Sequence, residues 1–145
     1  VELSLEVKKW YIEQDPTETK GIRQMLNLGH TFAHALESSS HFGSWSHGAA
    51  VAWGTCRALE AGMAMQVTDK AYAIGATKLF KSYGYDIEHR IGRGDWIEFR
   101  DHLLKDKKKA DGKVLFVLLE GQGKGVLRPL EMPLIQHLVI AKPIF

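Results

Sequence analysis

The spacing of apolar side chains divides the chain into a helical first two thirds and a final third of different character. Glu2 to Gln14 carries Leu3, Val7, Trp10 and Tyr11 at helical spacing, which predicts a first helix. Asp15-Pro16-Thr17-Glu18 ends it, because proline pushes the preceding residue out of helical geometry and itself suits the first turn of a new helix. A second helix is predicted from about Gly21 to Ser38, with Met25, Leu28, Phe32, Ala35 and Leu36 on one side. Ser38 to Ser44 is a loop by composition. Ser46 caps a third helix to about Met65, within which Gly48, Gly54 and Gly62 mark close helix packing more readily than a hinge. Thr68-Asp69 opens a fourth helix through Tyr83, closed by Gly84, and Asp95 caps a fifth from Trp96 to about Lys105. Ile87 to Gly94 between them reads as a loop.

Beyond the charged stretch from Lys105 to Lys113, the pattern changes. Val114 to Leu119 is a short run of strand formers, Gly121 to Gly125 is a flexible turn, and Val126-Leu127 begins a return strand. The tail from Pro133 to Phe145 is apolar and fits helix or strand equally. The fold class that follows is mainly α: a bundle of about five helices with a small β-hairpin between Val114 and Leu127.

Composition narrows the function classes. A chain of 145 residues, 45% hydrophobic and 25% charged, has the size and make-up of one folded domain rather than a disordered or fibrous chain. Its net charge of +2 is too small and too dispersed to point to nucleic acid. Cys56, the single cysteine, cannot form an internal disulfide, so a reducing compartment and a cytoplasmic location are expected. No apolar run reaches the roughly 18–20 residues that span a bilayer. The chain begins Val-Glu-Leu without a leader, which reads as a fragment of something longer.

The chemistry concentrates on the second predicted helix. Arg23, Asn27, His30 and His34 are separated by four, three and four residues. On a continuous helix they fall within roughly 60° of one another. A generic wet face holds Glu and Lys, whereas this one holds an anion binder, an amide donor and two potential metal ligands. Histidines at i and i+4 can share a metal, but His30-Thr31-Phe32-Ala33-His34 lacks the Glu after the first His that a zinc protease uses as its base. His47, at the start of the third helix, can point back across the loop toward His30. Catalytic zinc usually takes three protein ligands. Two strong candidates stand here with no carboxylate obviously in position, so the remaining ligand is expected outside this chain. Lys107-Lys108-Lys109 and Lys8-Lys9 read first as solvated charge, although Lys also serves as a point-charge partner for phosphate. His41, His89, His102 and His137 stand in unrelated contexts and are expected at the surface.

The run from Gly21 to Glu37, Gly-Ile-Arg-Gln-Met-Leu-Asn-Leu-Gly-His-Thr-Phe-Ala-His-Ala-Leu-Glu, closely resembles the signature of the 3-dehydroquinate synthases. The resemblance continues through His47 to Gly54, then through Asp106 to Lys113 and into the following apolar strand. It implies a two-domain lyase of the shikimate pathway of aromatic amino acid biosynthesis, acting on a carbon–oxygen bond to phosphate. The implied N-terminal half is an α/β NAD-binding domain, and residues 1–145 match the helical metal- and substrate-binding C-terminal domain. The family's metal, zinc or cobalt, is held by two histidines matching His30 and His47 and by a Glu from the nucleotide domain. Arg23, Asn27 and His34 match catalytic and substrate-contacting positions. Further substrate lysines match Lys108, with Lys107 as alternative, and Lys8 or Lys9.

The implied reaction turns 3-deoxy-arabino-heptulosonate 7-phosphate into 3-dehydroquinate and phosphate. Transient oxidation by NAD at a metal-polarised hydroxyl acidifies the neighbouring C–H. Phosphate then leaves, and reduction, ring opening and aldol closure follow. The implied partners are the chain's own N-terminal domain, a sugar-phosphate substrate and a second copy in a homodimer, with no nucleic acid and no membrane. The pattern departs at Ala49, where the family usually has Glu. Two other readings stand beside this one: a related sugar-phosphate cyclase that makes a cyclitol, and a helical module without activity. A more distant group, the metal-dependent alcohol dehydrogenases, lacks the Arg23 to Asn27 stripe. By itself the chain is expected to be inert and to bind zinc weakly.

Overall fold

A computed structural model describes residues 1–39, 45–105 and 113–141. Among these, six α-helices and one antiparallel hairpin appear: α1 (Glu2–Gln14), α2 (His30–Ser38), α3 (His47–Ala64), α4 (Lys70–Ser82), α5 (Trp96–Lys105), β1 (Val114–Gly121), β2 (Lys124–Leu130) and α6 (Met132–Ile140). The expected mainly helical class with a small hairpin is what the chain adopts. The apolar tail resolves as the sixth helix, with Pro133 in its first turn, where a missing N–H costs nothing.

Two of the three N-caps read from the sequence form, whereas Asp95 lies inside a 3-10 turn, Arg93–Asp95, that runs into α5. The Ser46 hydroxyl accepts from the Ala49 N–H at 3.3 Å, and the Asp69 carboxylate accepts from the Tyr72 N–H at 2.8 Å. The hairpin pairs Val114 with Leu130 and Leu118 with Val126, and its turn falls at Gln122-Gly123, where Gly123 takes φ +72°.

Helix α3 is the central element. Its small and apolar positions Ala50, Trp53, Ala58 and Ala61 are buried against α2, the hairpin, α4 and α6. Phe32 of α2 joins Phe116 of β1 at 4.7 Å and Trp53 of α3 at 6.4 Å, and Trp53 meets Phe99 of α5 at 6.3 Å. Fully burying each such side chain stabilises by roughly 1.5–3 kcal/mol. Charge is buried here too: Glu60, 1% exposed, accepts from Arg57 and Arg90 at 3.0 Å each. These two arginines also donate to the carbonyls of Ile87 and His89, which fastens the connector after α4 onto α3.

The second predicted helix is not continuous. Arg23–Asn27 forms a 3-10 turn, the chain breaks at Leu28-Gly29, and only His30–Ser38 is α-helical. The cause is packing. Gly29 has φ +77°, and a Cβ there would lie 2.5 Å from the Thr55 hydroxyl. Reciprocally, a Cβ on Gly54 would lie 2.2 Å from the Gly29 carbonyl oxygen. Two glycines thus let the start of α2 press backbone to backbone on α3, and the left-handed turn at Gly29 redirects the chain. Gly54 packs closely as its spacing predicts, whereas Gly48 faces open space.

Candidate metal and substrate site

The site is assembled by two different devices. The first is the connector between α1 and the 3-10 turn. The Asp15 side chain, wholly buried, accepts from the backbone N–H groups of Thr19 at 2.9 Å, Lys20 at 3.1 Å and Arg23 at 3.2 Å. Burial alone would raise its carboxyl, but these backbone donors, with that of Ile22, outweigh it and hold the group below its ordinary 3.8. A single ionised carboxylate therefore folds the connector and sets the start of the 3-10 turn. Arg23 and Asn27 come out of that turn half-buried and face α1 across a cleft of about 610 Å³. Lys8 of α1 and His30 of α2 line the same cleft, with Leu3, Val7 and Leu26 as its apolar wall.

The second device is the α2–α3 contact, which carries three histidines. The ring centres of His30 and His47 are 5.3 Å apart, those of His30 and His34 5.7 Å, and those of His34 and His47 6.3 Å. His30 Nδ1 donates to the Leu28 carbonyl at 3.1 Å, and His47 Nδ1 donates to the Glu37 carboxylate at 3.1 Å. Each acceptor can only accept, so Nδ1 carries the proton in both rings and leaves Nε2 as the lone-pair nitrogen. An imidazole whose Nδ1–H is held by a carbonyl or carboxylate is the usual form of a metal-binding histidine. The donor set therefore suits a divalent metal, with Nε2 of His30 and of His47 as the ligating atoms. Among the described residues, no group of three His, Cys, Asp or Glu side chains is gathered for a metal. The described residues alone thus offer a pair of imidazole nitrogens, one ligand short of the three that a catalytic zinc usually takes from protein.

The sequence-derived residues fare unequally. Arg23, Asn27 and His30 converge on one cleft, joined there by Lys8 of α1, although the helical-wheel argument that grouped the three with His34 does not hold, since Gly29 interrupts the helix. Lys9 lies outside it, exposed and paired with Glu13 at 3.7 Å. His34 borders a second depression of about 310 Å³ with Glu37, His102 and Lys105. Lys107, Lys108 and His41 lie outside the described residues. His137 is exposed as expected, but His89 is half-buried against Trp45 at 5.3 Å, because the connector that carries it is fastened to α3.

Sequence reasoning assigned no role to Glu37 or Asp15. Glu37 stands three residues after His34 and ten before His47, and only the fold shows which ring it serves. A carboxylate thus reaches His47 although Ala49 carries none.

Comparison with known proteins gives a consistent picture. The family model described as 3-dehydroquinate synthase C-terminal matches residues 1–109. The bifunctional 3-dehydroquinate synthase/phosphatase of Fusobacterium nucleatum is 39% identical over 123 residues, covering 85% of this chain and 18% of that protein. The 3-dehydroquinate synthase of Shewanella sp. strain MR-4 is 36% identical over 82% of this chain and 33% of its own length. That of Campylobacter jejuni subsp. jejuni strain 81-176 is 34% identical over 86% and 35% respectively. The chain thus spans about a third or less of these relatives. A crystal structure of 2-deoxy-scyllo-inosose synthase complexed with carbaglucose-6-phosphate, NAD+ and Co2+ shares the fold at TM-score 0.72 and 23% identity, covering 86% of this chain and 36% of that one. A second structure of that enzyme aligns at TM-score 0.74 and 20% identity.

Proposed function

This chain belongs to the 3-dehydroquinate synthase C-terminal family, and from that premise we propose that it is the metal- and substrate-binding part of a 3-dehydroquinate synthase. Its substrate on this reading is 3-deoxy-arabino-heptulosonate 7-phosphate, and its products are 3-dehydroquinate and phosphate. The observation that carries the reading is the convergence of Lys8, Arg23, Asn27 and His30 on one cleft beside the His34 and His47 rings.

Arg23 and Lys8 supply cationic donors for a carboxylate and a phosphate, with Arg23 able to grip two oxygens at once. Asn27, between them and His30, donates and accepts at a sugar hydroxyl. Half-burial of Arg23, Asn27 and His30 strengthens these contacts over their value in water, and the fixed 3-10 turn orients the bound anion before reaction. His30 and His47 hold the metal through Nε2. A bound zinc or cobalt ion supplies Lewis-acid polarisation of a substrate oxygen. NAD, the hydride acceptor, is bound by a domain beyond these residues. His34, with its ring 5.7 Å from His30 and 6.3 Å from His47, stands beside the pair that would hold the metal and would serve as a proton donor or acceptor to bound substrate. Lys108 or Lys107 completes the anion site on this reading, and Lys8 is favoured over Lys9 by its position in the cleft.

The full-length protein is a cytoplasmic homodimer on this reading, and the separate chain is inert because both the oxidant's site and a third metal ligand lie elsewhere. The cyclitol-forming alternative draws its support from the shared fold of 2-deoxy-scyllo-inosose synthase. Incubating the full-length protein with NAD, zinc and each candidate sugar phosphate in turn separates the two. Phosphate release from 3-deoxy-arabino-heptulosonate 7-phosphate alone is expected. Release only from a hexose 6-phosphate contradicts the proposal.

A further inference from the structure

His30 and His47 approach the metal position from different footings. His30 is half-buried, and its Nδ1–H is tied to the Leu28 carbonyl two residues away. His47 is the first residue of α3, and its side chain is 60% exposed. The Ser46 cap fixes the backbone of that first turn but not the ring. An imidazole so open to water rotates and passes its proton between the two nitrogens, with the Nε2–H form favoured in solution. That form presents the wrong atom to a metal, because Nε2 must keep its lone pair to coordinate. Something outside the first turn of α3 has to hold the ring.

The restraint comes from the neighbouring helix. Both oxygens of Glu37 accept from His47 Nδ1, at 3.1 and 3.4 Å. Glu37 stands seven residues after His30 and three after His34, so all three side chains leave one face of α2. That helix is seated on α3 through Gly29 and Gly54 and through the buried Phe32 and Leu36. Glu37 thus carries the order of the core across to an exposed ring. A carboxylate on Nδ1–H acts twice on the opposite nitrogen: it keeps the proton off Nε2, and its charge makes Nε2 a stronger donor. The Leu28 carbonyl does the first for His30 but brings no charge. As an ion pair this exposed contact adds little stability, so its value lies in orienting the ring.

We propose that Glu37 is the positioning residue of the metal pair, holding His47 with its proton on Nδ1 and thereby setting the affinity for a divalent ion. The inference rests on the reading of His30 and His47 as metal ligands. Long-range proton–nitrogen-15 NMR of the metal-free 145-residue chain, at about pH 8.5 where an ordinary imidazole is neutral, reads the tautomer of each ring. His47 is expected in the Nδ1–H form. It should move toward Nε2–H in Glu37→Ala and stay in place in Glu37→Gln, whose amide oxygen still accepts. The His30 tautomer should not change in either variant. Zinc titration of the full-length protein against a competing chelator gives the second readout. Glu37→Ala should weaken zinc binding about 10–100-fold, as loss of such a partner does, and Glu37→Gln by less, because it loses only the charge. The melting temperature of the metal-free chain should barely move in either variant, so lost affinity will not be confused with lost folding. Three results would overturn the proposal: an Nε2–H tautomer at His47 in the unaltered chain, a tautomer unchanged in Glu37→Ala, or zinc binding weakened by His30→Ala but not by Glu37→Ala. Zinc binding indifferent to both substitutions would overturn the metal reading itself, and the proposal with it.

Discussion

Residues 1–28 and residues 29–64 each supply part of the candidate site, and they are built in opposite ways. In the second region, α2 and α3 are pressed together through Gly29 and Gly54, and Phe32, Leu36, Trp53 and Leu59 are all buried. In the first, no residue of α1 is buried, and Leu3 and Trp10 are 77% and 53% exposed. The histidines therefore start from core-packed helices, whereas Lys8, Arg23 and Asn27 depend on an exposed helix and on one carboxylate, Asp15. The histidine side is pre-organised by the apolar core of this chain, and the anion-binding side is held by the polar contacts of one buried carboxylate beneath an exposed helix.

The contrast can be broken most severely at the core. Phe32→Ala is expected to cost about 3–5 kcal/mol in urea denaturation, while Trp10→Ala on α1 should stay within about 0.5 kcal/mol. Comparable losses from the two would erase the distinction. Gly54→Ala comes next, because its methyl would meet the Gly29 carbonyl oxygen at 2.2 Å. A loss of about 2–3 kcal/mol is expected, whereas Gly48→Ala, facing open space in the same helix, should stabilise by about 0.5 kcal/mol. Melting temperatures of the two variants check the pair.

The two regions should also differ in the sign of their response to pH. The Asp15 carboxyl is held below 3.8, so the order it confers is complete above that value and is lost as pH falls through its lower folded value. Burial pushes Glu60 up from 4.5 to about 7, against the pull of Arg57. The stability tied to Glu60 is therefore full below 4.5 and declines as pH rises to about 7. Hydrogen exchange should show amides 19–23 losing protection in acid, a loss absent in Asp15→Asn. Global stability of Glu60→Gln should lack the decline between pH 4.5 and 7.

Much of this division was legible in the sequence. The bounds of α1, the caps at Ser46 and Asp69 and the hairpin all follow from local chemistry, which acts within a few residues. The break at Gly29 was not legible, because Leu28 and Gly29 fit a helical period and the force that interrupts it comes from α3, across a loop. The histidine pairing was legible through the position of His47 at a helix start. Glu37 as its carboxylate, and the Arg57–Glu60–Arg90 cluster, were not. Glu60 and Arg90 stand 30 residues apart, and no periodicity links them.

The central claim is that His30 and His47 form two ligands of a metal site that this chain does not complete. Calorimetric titration of the 145-residue chain with zinc tests it. Weak binding is predicted, far short of submicromolar, and diminished by His30→Ala and by His47→Ala. Submicromolar binding abolished by either substitution would show that a third ligand lies within these residues and would contradict the account.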